Sequence, residues 1–225
     1  MDDIGVAGVR RVAAGLATAA AFAVVGCGSD EEPAPERART APELARTFDL
    51  RRPAGRVVAR LCDGRRMAVK ETVNVRLGCT VVDARRGAVT VVAARDRAGH
   101  TQSARFNAGV FRVVQRRSGL IEVILVGGKL GSCTARQRRQ RVVPTPDAAR
   151  GTRRIRRLLA AGSGRFRTRG HFATGTVRGT RWGTQDFCHG TLLVVRQGRL
   201  AVRDLVRDRT IELTAPDSYF ARAPG

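Results

Sequence analysis

Asp186-Phe187-Cys188-His189-Gly190 sets an acid, a thiol and an imidazole within four positions, just ahead of the apolar run Thr191–Val195. Residues of these types can bind zinc, pair a thiol nucleophile with its base, or supply half of a disulfide. Zinc needs three or four ligands converging on one point, and Asp186, Cys188 and His189 lie too close along one strand end to supply them without distant help. His100, His171 and His189 are the only histidines; none has a second His three or four residues away, and none sits in an H-E-x-x-H pattern. A Cys-His nucleophile needs the imidazole within hydrogen-bond reach of the sulfur, and neighbouring strand residues point to opposite faces. His189 is therefore badly placed to deprotonate Cys188. Asp186 and Glu212 are scattered acids, and VGGKLGS at 126–132 carries Gly127, Gly128 and Gly131 without the Gly-Lys-Ser/Thr step of a phosphate loop, so it reads as a tight turn. These residues give no catalytic assignment, no metal site and no cofactor; a hydrolase ranks below a binding role.

The elements that must position these residues are strands. From Val57 onward the chain alternates over short β-branched runs broken by Gly and Asp: RVVARL, MAVKETVNV, TVVDARRGAVTVV, GVFRVVQ and LIEVILV. Residues 134–163 lose that alternation, and Pro146-Asp147 followed by Ile155, Leu158 and Leu159 predicts one short helix inside a basic linker. Strands resume with GRFRTRGHFATGTV, TLLVVRQ, RLAVRDLV and RTIELTA; Arg165, Arg167 and Arg169 alternate with Phe166 and Thr168 as on a strand with one wet face. The expected fold is mainly all-β, with a first β block at 53–133 and a second at 164–225 forming a sandwich or stacked-sheet module joined by the 134–163 linker.

The N-terminus decides the compartment. Arg10 and Arg11 precede Val12–Val25, an uncharged apolar run too short to span a bilayer but of signal-peptide length. Val24-Val25-Gly26-Cys27 resembles a bacterial lipobox, which implies cleavage after residue 26 and a lipid on the Cys27 thiol. Residues 1–26 are then a lipoprotein signal peptide and 27–52 a disordered tether rich in Pro, Glu, Ala and Arg. The expected location is the outer face of the bacterial cytoplasmic membrane or the cell envelope. In such a compartment the four remaining cysteines form disulfides. Of three connectivities, Cys62 with Cys79 lies within the first block, and Cys133 with Cys188 ties that block to the second across the linker.

FATGTVRGTRWGTQDFCHGTLLVVRQGRLAVRD resembles the C-terminal part of a FecR-like domain through Gly179, Thr180 and Trp182, then Thr191, Leu193 and Val195, then Gly198, Leu200 and Val202. VRLGCTVVDARRGAVTVV resembles the opening of the same domain. The resemblance implies an extracytoplasmic β module. FecR proteins also carry a transmembrane helix and a cytoplasmic segment that acts on a sigma factor, and this sequence shows neither pattern.

The formal charge is +23, and only Lys70 and Lys129 are lysines, the other 40 basic residues being Arg. A GC-rich genome gives such usage to any surface, while selection to bind a polyanion would give the same sum. The densest stretches, RQRRQR and RGTRRIRR, single out Arg138, Arg139, Arg153, Arg154, Arg156 and Arg157 as an anion-binding stripe for lipid head groups or envelope polymers. Export and the scarcity of aromatics, 4% of residues, argue against nucleic acid, which needs stacking side chains. The function expected is a non-enzymatic binding or scaffolding module, with a polyanion-binding surface protein as the alternative.

Overall fold

Residues 41–144 and 153–224 are described by the computed structural model. Among them run thirteen strands: β1 (Thr47–Arg60), β2 (Arg66–Ala68), β3 (Val73–Arg76), β4 (Val81–Ala94), β5 (Thr101–Asn107), β6 (Val110–Gln115), β7 (Ile121–Leu125), β8 (Arg154–Ser163), β9 (Phe166–Arg169), β10 (Ala173–Phe187), β11 (Gly190–Asp204), β12 (Arg209–Thr214) and β13 (Ser218–Arg222). A single helical turn, α1 (Ala135–Arg138), follows a 3-10 turn at Leu130–Ser132. The fold is all-β, as the alternation predicts.

The two β-rich blocks share one continuous sheet. From β10 the pairing passes through β8, β5, β4, β6, β7 and β9 and returns to β10, a closed circuit. The β7–β9 pair is parallel; the other pairs are antiparallel. Closure removes the exposed edges that an open sheet would leave at these strands. β1 runs along the outer edge of β4 and carries β2 and β3. β11 does the same for β10 and carries β12 and β13.

β5 and β6 follow one edge of β4 in succession, bent at Ala108-Gly109, where Ala108 takes φ 61° and the β4 residue Ala84 bonds both residues through its backbone. At this corner β8 comes close: a Cβ on Gly109 would stand 2.2 Å from the Arg157 carbonyl oxygen, so only glycine fits. Inside the circuit Phe106 lies 5.3 Å from Phe111, 6.1 Å from Phe166 and 6.3 Å from Trp182, ring centre to ring centre. The Trp182 indole N–H donates to the Thr168 hydroxyl, which is 2.7 Å from that of Thr184. These three buried polar side chains thus satisfy one another.

Two segments differ from the sequence reading. The tether was expected to reach residue 52, yet β1 begins at Thr47, with Phe48, Asp49 and Leu50 buried. Pro53 hides this start, because proline argues against a strand; here it occupies the irregular gap between Arg51 and Ala54, where β4 offers no registered partner. Residues 154–163 were expected in a basic linker with a helix over Ile155, Leu158 and Leu159. They form β8, paired with β5 on one edge and β10 on the other. Apolar residues at i, i+3 and i+4 suit a helix, but two long strands with open edges supply hydrogen bonds along the whole segment, and tertiary pairing overrides local preference. The helical turn sits earlier, at α1, closed by a capping box between Thr134 and Gln137. Both blocks belong to one unit, Arg39–Gly225.

Candidate functional site

Strand register builds an arginine face. On β1, Val57 and Ala59 point to the core, so Arg56, Val58 and Arg60 face outward. Directly paired residues of antiparallel strands share a face, which gives a transverse row Arg66, Arg60, Val81, Arg112 across β2, β1, β4 and β6. The next row is Ala68, Val58, Asp83, Val110. Beyond it Arg56 opposes Arg86. A register shift between Arg56 and Val58 gives β4 one extra residue, and both Arg85 and Arg86 are exposed there, the re-aiming a bulge performs.

The Arg60 row, with Val58, Asp83, Val110 and Arg85 beside it, is the floor of a cleft of about 890 Å³, walled by Gly127-Gly128 after β7 and by Arg154–Arg157 of β8. Seven arginines and one acid, Asp83, line it. Asp83 is already engaged: Arg85 donates to its two carboxylate oxygens at 2.6 and 3.0 Å, and this guanidinium holds the Asp83 carboxyl below the usual carboxylate range. Arg156 donates to the carbonyls of Gly127 and Leu125 and stands 3.6 Å from Asp186. Arg154 donates to the Gln185 side chain. Arg60, Arg66, Arg112 and Arg157 form no ion pair among the described residues.

Arg112 and Arg157 stand apart from surface arginines of the kind that genome composition supplies. The Nε of each is buried and has no hydrogen-bond partner. Burial, with Arg154 and Arg196 nearby, pushes Arg157 below the ordinary arginine value. A buried donor without an acceptor destabilises the fold, and like charges gathered without an anion add to that. An oxyanion held by the cleft guanidinium groups would offset the gathered charge.

Of the arginines singled out in the sequence, Arg154, Arg156 and Arg157 line the cleft, on a strand and not on a helical stripe. Arg153 is exposed just before β8, Arg138 turns back onto the carbonyls of Leu130 and Cys133, and Arg139 caps α1; none of the three lines the cleft. The sequence reading missed Arg60, Arg66, Arg85 and Arg112. The outward alternation of Arg56, Val58 and Arg60 was visible, but not the strands beside it.

Both expected disulfides are present, Cys62–Cys79 with Cα atoms 5.0 Å apart and Cys133–Cys188 with 5.6 Å. Cys188 and His189 are the two turn residues between β10 and β11, since Phe187 pairs with Gly190. His189 is buried, its Nε2 2.8 Å from the Val142 carbonyl and its ring 5.0 Å from that of Phe220. Asp186 is buried too: its Oδ1 accepts from the His171 N–H and the Thr191 hydroxyl, while its Oδ2 makes no hydrogen bond. The segment around 130–144 is thus strapped to the hairpin tip, the Arg222 guanidinium donating to the Arg141 carbonyl as well.

Burial, and secondarily Arg222, holds His189 below its usual value near 6.5. Between that lowered value and 6.5 the unfolded chain binds more protons than the folded one, so stability falls as pH drops through this window. Thermal melts from pH 7.5 to 5 should show a loss of stability that His189→Gln flattens. Parallel pH curves for the two proteins would dismiss His189 as the source.

Cys27 and the apolar run before it lie outside the described residues, as do residues 145–152 of the linker. Among the described residues no His, Cys, Asp or Glu cluster could hold a metal ion. No protein-family model, no curated protein and no solved structure matches this chain.

Proposed function

We propose that the protein is a non-enzymatic binding module of the bacterial cell envelope, exported, lipid-anchored at Cys27 and FecR-like in its β segments, and that it holds an anionic ligand in the arginine cleft. Two disulfides in a small domain suit an oxidising compartment, and the apolar run ending at Cys27 supports export with an anchor. Among the described residues no helix is long and apolar enough to cross a membrane. The observation that carries the ligand reading is a cleft lined by seven arginines whose one carboxylate is already bound to Arg85.

Calorimetric titration of the full chain with inorganic pyrophosphate tests it. Binding should weaken as salt rises, because phosphate contacts release counterions. Arg112→Gln with Arg157→Gln should lower affinity at least about tenfold, since hydrogen bonds to charged groups contribute roughly 1.5 to 3 kcal/mol each. Without ligand, the same double variant should melt about 1 to 3 °C higher, the trade of stability against function found at strained sites. Undiminished pyrophosphate binding by the double variant would refute the cleft as the ligand site.

A further inference from the structure

We infer that the ligand is a linear chain bearing at least two phosphate groups, laid along β1 from the Arg60 row to the Arg56–Arg86 pair; this deepens, and rests on, the assignment of the cleft as the anion site. A second hollow of about 310 Å³ adjoins the cleft and shares Val58, Arg66, Asp83 and Arg85 with it. It extends the groove to Arg56 and Arg86. The groove is therefore longer than the wall formed by β8.

Arginines line it along its length, with two opposed pairs on β1 and its neighbours. Arg60 opposes Arg66 across β1 and β2, and Arg56 opposes Arg86 across β1 and β4. Like charges directly opposite on antiparallel strands destabilise a sheet, so each pair gains from an anion placed between its guanidinium groups. The two pairs are four residues apart on β1, about 13 Å at the rise of a strand. A chain carrying several phosphates can engage both pairs at once. The row between them, Ala68, Val58, Asp83 and Val110, carries no arginine, and its one acid is already bound to Arg85.

Among the described residues no aromatic side chain lines either hollow. A nucleobase would lack the stacking platform that single-stranded recognition uses. The chemistry that fits is a flexible phosphate chain, either inorganic polyphosphate or a polyol phosphodiester. Lipid head groups offer the same phosphates as separate units on a surface.

The test uses the full chain and four probes at low salt: orthophosphate, tripolyphosphate, long-chain polyphosphate and phosphatidylglycerol vesicles. Long-chain polyphosphate should bind tightest per phosphate and show the steepest salt dependence, the slope growing by about 0.7 for each added phosphate contact. Arg56→Gln with Arg86→Gln should weaken the long chain about tenfold and reduce its salt slope by roughly 1.4, two contacts at that increment, while leaving the orthophosphate response of the Arg112 and Arg157 Nε–H signals as it was. Both side chains are exposed, so the variant should fold and melt at or above the parent temperature. If it binds the long chain like the parent while Arg112→Gln with Arg157→Gln still loses orthophosphate, the cleft is a single-phosphate site and the chain inference fails alone. Binding to vesicles without binding to the long chain would likewise overturn it in favour of a lipid surface. Orthophosphate binding indifferent to Arg112 and Arg157 would remove the cleft assignment, and the chain with it.

Discussion

Replacing Cys133 and Cys188 together by alanine should destabilise the full chain by about 4 kcal/mol, the chain-entropy value for a closed loop of this size. The loop spans 55 residues, against 17 for Cys62–Cys79, whose loss should cost about 3 kcal/mol on the same scale. For a domain of this length 4 kcal/mol corresponds to a fall of roughly 8 to 16 °C in melting temperature. The bond has a local effect as well. It fastens the segment that follows Gly127-Gly128 to the tip of the β10–β11 hairpin, and that glycine pair forms part of the cleft wall. A Cβ on Gly128 would meet the Ile155 side chain at 2.7 Å, so the turn packs tightly against β8. The double alanine variant should therefore lose anion affinity along with stability. Denaturant melts of the two pairwise variants without reductant decide the ranking: a smaller loss for Cys133/Cys188 than for Cys62/Cys79 would show that the long loop is not the dominant constraint.

Cys27→Ala should move the protein from the membrane fraction to the soluble one or leave it unprocessed. A diacylglyceryl group inserts two acyl chains, and each buried methylene contributes about 0.8 kcal/mol, so two chains anchor a protein where one binds only marginally. Mass spectrometry of the parent membrane fraction should find a mature N-terminus at Cys27 carrying that group. An unmodified soluble chain beginning elsewhere would remove both anchor and location.

Alternation made most strands legible. GVFRVVQ became β6, LIEVILV became β7 and RTIELT became β12, because one buried face imposes a period of two that survives in a single sequence. The disulfides were legible by parity once Cys27 was set aside. RRIRRLLAAGS was not, since Ile155, Leu158 and Leu159 fit a helix face as well as a strand, and its partners β5 and β10 are remote in sequence. The cleft was half legible. RGTRRIRR was singled out for its density of charge, whereas Arg60, Arg66 and Arg112 reach the site only through the register of β1, β2, β4 and β6 and the extra residue near Arg85. Local density drew in Arg138, Arg139 and Arg153, which the fold places elsewhere. Pairing across strands, and not the count of charges, is what concentrates arginine at this site.

The arginine Nε–H groups themselves report on the cleft most directly. In ¹H–¹⁵N spectra of the full chain, titration with orthophosphate at low salt should shift the Nε–H signals of Arg112 and Arg157, which have no acceptor in the free protein, along one saturating curve. The Nε–H of Arg156, already donating to the Gly127 carbonyl at 2.6 Å, should move less. Signals of Arg112 and Arg157 that stay in place, or that drift without saturation like those of exposed arginines, would contradict the cleft as a built anion site.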